Sequence, residues 1–325
     1  MSTAIAWLVD PWPPEAAPQD SRADCSAVGD AAPGPCPTGV AFAGARPPVG
    51  RWGAPDQLAI PLSDRGLTLA DGLFETVLIE QGRPRLLAEH LRRWHDSAAL
   101  LAMAPPPAEA LLTPRIAEAV RRSGIDSGAL RLNWTRGSGG PGSRGLDLPG
   151  LDDSQPPHRF WLQLTAWTPL FSPVAVIISP TERRCATSLL SRCKTFAYGA
   201  SIQARRQARA AGADDALLLS SDGSLCCATA ANLLLQVQGR WLTPPLASGC
   251  LPGVMRARAL ELGLAQEAPL APELLQGETA AGPALLLNSL GCRPIVPGDR
   301  RDRRDRRGLE ALEPAAAEAF WRTLL

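Results

Sequence analysis

Lysine is nearly missing from this chain. Its 325 residues include 33 basic ones, and Lys194 alone among them is a lysine. A compositional shift towards arginine preserves a surface charge. It cannot replace an amine that must lose its proton and attack a carbonyl carbon, because guanidinium stays protonated. A lysine that persists alone therefore favours amine chemistry, notably imine formation. Composition by itself leaves chance survival of Lys194 as an alternative.

Other absences argue against several classes of function. The eight cysteines show no CxxC spacing and the three histidines form no ligand pattern, so we expect reduced thiols and no metal site. A net charge of +1 gives no reason to expect a nucleic-acid partner. No apolar run reaches membrane-spanning length, and the first 15 residues lack the basic and long apolar regions of a secretory signal. We expect a cytoplasmic protein with a small-molecule substrate and no membrane partner.

Local patterns predict a mixed α+β chain in two regions. Residues 10–49 are rich in proline, glycine, alanine and aspartate, and we expect a disordered insertion there. A boundary near 168–173 would separate a smaller N-terminal domain (1–169) from a larger C-terminal domain (170–325). The patterns predict hairpins at 74–87 and 232–244, strands at 129–137, 159–167, 174–179, 216–225 and 284–290, and helices at 88–103, 107–123, 201–212 and 252–263.

Several segments carry candidate residues for binding a phosphorylated aldehyde. Lys194 lies in SRCKTFAYGASIQAR just before a predicted helix, and Tyr198, the only tyrosine, follows four residues later. In LPGVMR (251–256) the free amides of Val254 and Met255 at a helix start could bind a phosphate, and Arg93 in EHLRRWHDSA could add a planar fork. Each feature alone also fits a packing tyrosine, an ordinary helix start or an exposed helix arginine.

Three ordered segments together resemble one enzyme family. They are LSDRGLTLADGLFETVLIEQGRPRLLAEHLRRWHDSA (62–98), CKTFAYGASIQARRQARAAGADDALLLSSDG (193–223) and ANLLLQVQGRWLTPPLASGCLPGVMRARALELG (231–263). The chain resembles the class IV enzymes dependent on pyridoxal 5′-phosphate (PLP), which include branched-chain and D-amino-acid aminotransferases and aminodeoxychorismate lyase. The resemblance implies their two-domain fold and a homodimer with each active site near the subunit interface.

The resemblance also assigns roles to individual residues. It implies that Lys194 forms the imine with PLP and moves protons, and that Tyr198 contacts the cofactor O3′. It implies that Arg93 and the amides of Val254 and Met255 bind the phosphate. A further phosphate contact would come from either of two neighbouring residues, Asn288 and Ser289.

One position departs from the family pattern. The glutamate that usually faces the pyridine nitrogen is replaced by Cys227, in the stretch before Asn232. A thiol is a weak donor and cannot neutralise a pyridinium, so we expect an unprotonated ring nitrogen and a weaker electron sink. Asp222 and Glu182 are conceivable substitutes for the missing carboxylate.

A further motif favours one branch of the family. TRGSGGPGSRG (135–145) and the pair Cys226-Cys227 resemble aminodeoxychorismate lyases, which convert 4-amino-4-deoxychorismate to 4-aminobenzoate and pyruvate. Arg136 and Arg144 are candidates to pair with the two substrate carboxylates, unless they are simply exposed loop residues. An aminotransferase acting on branched-chain or D-amino acids is the second interpretation, and a PLP-binding protein without activity is the third.

Overall fold

The computed structural model describes residues 4–9, 49–138, 158–275, 282–297 and 312–325. The predicted insertion, apart from Val49, and the candidate Arg144 lie outside these residues. The strands are β1 (Ala4–Val9), β2 (Arg51–Gly53), β3 (Gly72–Glu80), β4 (Arg83–Pro84), β5 (Gly128–Thr135), β6 (Arg159–Ala166), β7 (Val174–Arg184), β8 (Asp215–Ser220), β9 (Leu225–Ala228), β10 (Asn232–Val237), β11 (Arg240–Thr243), β12 (Gln266–Glu267), β13 (Ala284–Asn288) and β14 (Gly291–Pro297). The α-helices are α1 (Arg65–Leu69), α2 (Leu87–Leu100), α3 (Glu109–Ser123), α4 (Gly199–Ala210), α5 (Val254–Glu261) and α6 (Pro314–Arg322).

The first sheet is antiparallel, in the order β2-β1-β6-β5-β3-β4. Its apolar face packs against α2 and α3, which place Trp94, Leu112 and Ile116 in the core. The apolar residues of both helices recur at helical spacing and form one buried stripe. Burying that stripe against the sheet fixes α2, and with it Arg93, relative to β3.

The second sheet has eight strands in the order β12-β11-β10-β13-β14-β7-β8-β9, and β10 also pairs with β9. This extra pairing closes six of the strands into a barrel-like sheet. Its pairs β14–β7 and β7–β8 are parallel, and α4 crosses between β7 and β8 as the connection requires. The predicted mixed α+β fold is confirmed, whereas the domain boundary at 169/170 stays a prediction.

Both predicted hairpins are confirmed. The turn residues Gln81 and Gly82 have φ of 52° and 72°, and Gln238 and Gly239 have φ of 50° and 78°. Two successive positive φ angles give a type I′ turn, whose twist matches that of the flanking strands and whose second position suits glycine. No helix among the described residues is long and apolar enough to cross a bilayer.

Candidate active site

A cavity of about 360 Å³ lies between the two sheets. Its walls come from β3 and β5 of the first sheet and from β7, β8, β9, β10 and β13 of the second. Eight residues proposed from the sequence line it together: Arg93, Lys194, Tyr198, Cys227, Val254, Met255, Asn288 and Ser289. The fold therefore brings into one cavity residues that are up to 196 positions apart.

Backbone pairing with β3 positions Lys194. The amide of Phe74 donates to the Lys194 carbonyl at 2.9 Å, and the amide of Phe196 donates to the Gly72 carbonyl at 3.0 Å. This short antiparallel contact ties the lysine segment to the first sheet. The half-buried Lys194 side chain points into the cavity, with Nζ 3.2 Å from the Tyr198 hydroxyl and 4.3 Å from the centre of the Phe74 ring.

Close packing shapes the start of α5. Val254 and Met255 are buried there, and their amides belong to the first turn, which has no intrahelical acceptors. The Asn232 side-chain amide donates to the Leu251 carbonyl at 2.9 Å. A Cβ on Gly253 would lie 1.9 Å from the Asn232 Oδ1, so this approach requires glycine. The helix start is thus held against the cavity in a form suited to an anion.

Arg93 reaches the same end of the cavity but forks onto a carboxylate. Its Nε and one terminal nitrogen donate to Glu75 at 2.8 and 2.6 Å, and the other terminal nitrogen donates to the Pro252 carbonyl at 3.0 Å. Burial alone would raise the pKa of Glu75, but Arg93 and His90 lower it to about 2. Glu75 is therefore ionised, and no sequence motif pointed to it. Its place on β3 opposite α2 becomes visible only in the fold.

Asn288 and Ser289 differ in the bonds they already make. The Asn288 side chain donates to the Ala230 carbonyl and accepts from the Leu290 amide. The Ser289 Oγ lies 3.1 Å from the His90 Nε2. Both residues keep bonding capacity towards the cavity, Asn288 through its second Nδ2 hydrogen and Ser289 through its hydroxyl, so the choice between them stays open.

The cavity wall is cationic. Among its described lining residues are Arg93, Arg131, Arg184 and Lys194, and none is an aspartate, a glutamate or a histidine. Cys227 occupies the wall at the register position opposite Asn232.

The two conceivable substitutes for the missing carboxylate lie elsewhere. Asp222 is exposed and accepts from Ser224, and Glu182 accepts from Thr181. Neither lines the cavity.

The structure places Arg136 outside the cavity and Arg131 inside it. Arg136 is 5% exposed, pairs with Asp71 at 3.0 Å and donates to two backbone carbonyls of the chain following α2. It acts there as a buried clamp, and we do not assign it a substrate contact. Arg131 packs 3.5 Å from the centre of the Phe74 ring and donates through Nε to Asn133 at 2.7 Å. Burial lowers the pKa of Arg131.

These residues fit PLP at three points. A lysine amine opens into the cavity, a tyrosine hydroxyl lies beside it, and a glycine-packed helix start with an arginine forms an anion-binding end. Cys227 does not supply the carboxylate that would neutralise a protonated ring nitrogen.

Comparisons with known proteins show chains that are similar in sequence or in fold. A putative branched-chain-amino-acid aminotransferase from Methanocaldococcus jannaschii is 30% identical over 207 residues, covering 62% of this chain and 69% of that protein. The crystal structure of a putative 4-amino-4-deoxychorismate lyase from Legionella pneumophila has a TM-score of 0.69 at 24% identity, covering 82% of this chain and 95% of that one. The PLP-bound form of a hypothetical aminotransferase from Mycobacterium tuberculosis has a TM-score of 0.68 at 20% identity, covering 85% and 95%.

The family model for class IV amino-transferases matches residues 72–297, which is more than half of the chain. The resemblance described from the sequence is thereby confirmed. The chain belongs to the class IV amino-transferase family, whose members bind pyridoxal 5′-phosphate.

Proposed function

We propose that the protein is an aminodeoxychorismate lyase, which converts 4-amino-4-deoxychorismate to 4-aminobenzoate and pyruvate. The observation that carries the proposal is a cavity with four basic side chains and no carboxylate among its described lining residues. Arg93 is paired with Glu75 and Lys194 is reserved for the aldehyde, so Arg131 and Arg184 are the described lining cations left for a substrate with two carboxylates. Such a wall also suits a reaction that draws its driving force from aromatisation and depends less on a protonated pyridine ring.

Lys194 would act twice. PLP, when bound, supplies an aldehyde that captures amines and a ring that withdraws electrons. The Lys194 amine would hold that aldehyde between turnovers and would be free to act as a base once a substrate amine is bound. The Lys194 Nζ then accepts the proton from the amine-bearing ring carbon. As the ring becomes aromatic, the bond to the enolpyruvyl oxygen breaks, and the leaving group takes a proton to give pyruvate.

The remaining residues would orient the Lys194 amine, bind the cofactor phosphate and bind the substrate. Tyr198, 3.2 Å from the Lys194 Nζ, restricts where that amine points. Arg93, Ser289 and the amides at the start of α5 would bind the phosphate. Arg131 is our candidate for a substrate carboxylate, because its guanidinium faces the cavity and is partly desolvated, which strengthens its attraction for an anion.

An aminotransferase is the second candidate. It is favoured by the Methanocaldococcus relative, whose name is that of a branched-chain-amino-acid aminotransferase. It would use the same lysine, tyrosine and phosphate end, but it would have to transfer the amino group without a carboxylate at the position of Cys227.

The family resemblance adds expectations about the whole protein. We propose a homodimer in the cytoplasm, divided into an N-terminal and a C-terminal domain near residue 169. The resemblance to the class IV enzymes supports the homodimer, the sequence pattern at 168–173 supports the boundary, and the cytoplasmic location is an expectation from the sequence.

A product assay decides between the two activities. Purified protein with PLP is given 4-amino-4-deoxychorismate, made in situ from chorismate and glutamine, without any 2-oxo acid. Formation of 4-aminobenzoate and pyruvate in equal amounts supports the lyase. Absence of both products, together with amino transfer from valine or D-alanine to 2-oxoglutarate, supports the aminotransferase and contradicts the lyase.

A further inference from the structure

We propose that Glu75 and His90 are positioning residues that join Arg93 and Ser289 into a single phosphate-binding unit. The proposal rests on the assignment of this end of the cavity to the phosphate under the proposed function. It goes further because neither Glu75 nor His90 lines the cavity.

The Glu75 carboxylate is the centre of the unit. It is 1% exposed and lies on β3, where both its oxygens face α2. Oε1 accepts from the Arg93 Nε at 2.8 Å, while Oε2 lies 2.6 Å from an Arg93 terminal nitrogen and 2.7 Å from the His90 Nδ1. A two-point fork fixes the plane of the guanidinium as well as its distance. The Arg93 N–H groups that bond neither Glu75 nor Pro252 are therefore held in a fixed orientation.

Hydrogen bonds through His90 connect Glu75 to Ser289. An ionised carboxylate only accepts, so the Nδ1 of His90 carries the ring proton. Burial lowers the pKa of His90, more than its contact with Glu75 raises it, and the ring is neutral with Nε2 as an acceptor. The Ser289 hydroxyl donates to that Nε2 at 3.1 Å. This contact sets the position of the Ser289 oxygen before a ligand enters. The hydroxyl has a single proton, so when it donates to a phosphate oxygen it exchanges the His90 acceptor for the phosphate.

Charge gives the unit a second property. The buried Arg93 cation is compensated by Glu75, and the neutral His90 adds no charge. Arg93 can therefore stay in place before a ligand enters, although its surroundings are largely dry. The phosphate then meets donors that are already oriented, which reduces the ordering cost of binding.

The test measures affinity for PLP and for pyridoxal, the same aldehyde without the phosphate, by absorbance titration of the purified protein. The ratio of the two affinities reports only on the phosphate end, whereas general damage to the fold weakens both ligands. We expect Glu75→Gln to lower the affinity for PLP by about 10- to 100-fold, because it weakens the contacts that hold both Arg93 and His90. The affinity for pyridoxal should change by less than about 3-fold.

His90→Asn tests the contact between His90 and Ser289 separately from the contact between Glu75 and Arg93. Asparagine keeps a donor near the position of Nδ1 but lacks Nε2, so we expect a smaller drop of about 3- to 10-fold in the PLP affinity. If His90 acts through Ser289, then His90→Asn should have no further effect in a Ser289→Ala background. Glu80→Gln is the matched control, since Glu80 is also an ion-paired glutamate of β3 but pairs with Arg85 and Arg322 away from the cavity. It should leave the ratio unchanged.

Three results would overturn the proposal. The first is an unchanged ratio of PLP affinity to pyridoxal affinity in Glu75→Gln. The second is an equal loss of affinity for PLP and for pyridoxal in that variant. The third is tighter PLP binding once Arg93 no longer pairs with Glu75. A wild-type protein that binds PLP no better than pyridoxal would remove the phosphate assignment as well. Failure to form 4-aminobenzoate contradicts the lyase proposal alone and leaves this ratio untouched.

Discussion

Replacing Gly253 by alanine should damage the phosphate end of the cavity through a steric clash. The new Cβ would lie 1.9 Å from the Asn232 Oδ1 and 3.1 Å from its Cγ. Because non-bonded carbon and oxygen atoms stay at least about 3 Å apart, the two groups must separate by roughly 1 Å. The φ of Gly253 is −67°, which alanine adopts freely, so the effect would come from this contact and not from backbone strain.

The magnitude follows from the bond that this movement breaks. The Asn232 amide donates to the Leu251 carbonyl, and its loss in a mostly buried place should lower the free energy of unfolding by about 1–3 kcal/mol. The amides of Val254 and Met255 would shift with the loop, and a comparable energy corresponds to a loss of about 10- to 100-fold in PLP affinity. Urea unfolding and absorbance titration with PLP measure the two quantities.

Two further variants identify the cause. Gly199→Ala is the matched control, since a Cβ there meets nothing within 4 Å, and it should leave PLP affinity unchanged. Asn232→Ala removes the clashing atom, so Gly253→Ala should cost much less PLP affinity in that background than in the wild type. Additive losses in the double variant, or normal affinity in Gly253→Ala alone, would refute the steric explanation.

Five other substitutions test the site and the fold around it. Lys194→Arg should lower turnover by at least roughly 100-fold and abolish borohydride-stable labelling by PLP, because guanidinium cannot attack the aldehyde; full activity would contradict the assignment. Cys227→Glu should gain aminotransferase activity while keeping lyase activity, and unchanged products would count against the role given to Cys227. Arg131→Gln should raise the KM for the substrate by about 10- to 100-fold and leave PLP affinity intact. Arg136→Gln should lower the free energy of unfolding by about 1–3 kcal/mol. A raised KM in Arg136→Gln and a destabilised Arg131→Gln would contradict these assignments. Burial, with a contribution from Arg136, lowers the pKa of His158 to about 4. Protonation therefore favours the unfolded chain, in which the histidine binds a proton more readily. The free energy of unfolding should fall by up to ~3 kcal/mol as the pH drops from 6.5 to 4. His158→Gln should flatten that slope in urea unfolding, and an identical slope in both proteins would contradict this cause.

Features set by short stretches of chain could be predicted from the sequence. The two Gln-Gly turns need positive φ at successive positions, and each lies between apolar strands, so the hairpins were predictable. β14 gave no such signal because it contains Pro294, and proline weakens any strand pattern. α1 spans five residues, which is too short to show a helical period. The eight cavity residues were found through family motifs, because backbone propensities do not specify which distant segments meet.

The two arginines of the β5 region show where the motif misleads and what corrects it. The resemblance of residues 135–145 to a lyase loop points to Arg136. Side chains of a strand alternate between faces, however, and Arg136 directly follows the last residue of β5 at the parity opposite to that of Arg131. Leu130 and Leu132 are completely buried in the core of the first sheet, and Arg136 continues their parity into the buried clamp with Asp71. Arg131 has the opposite parity and faces the cavity. Because leucines at alternate positions mark the core face of a strand, counting parity outward from Leu130 and Leu132 is enough to assign Arg131 to the other face.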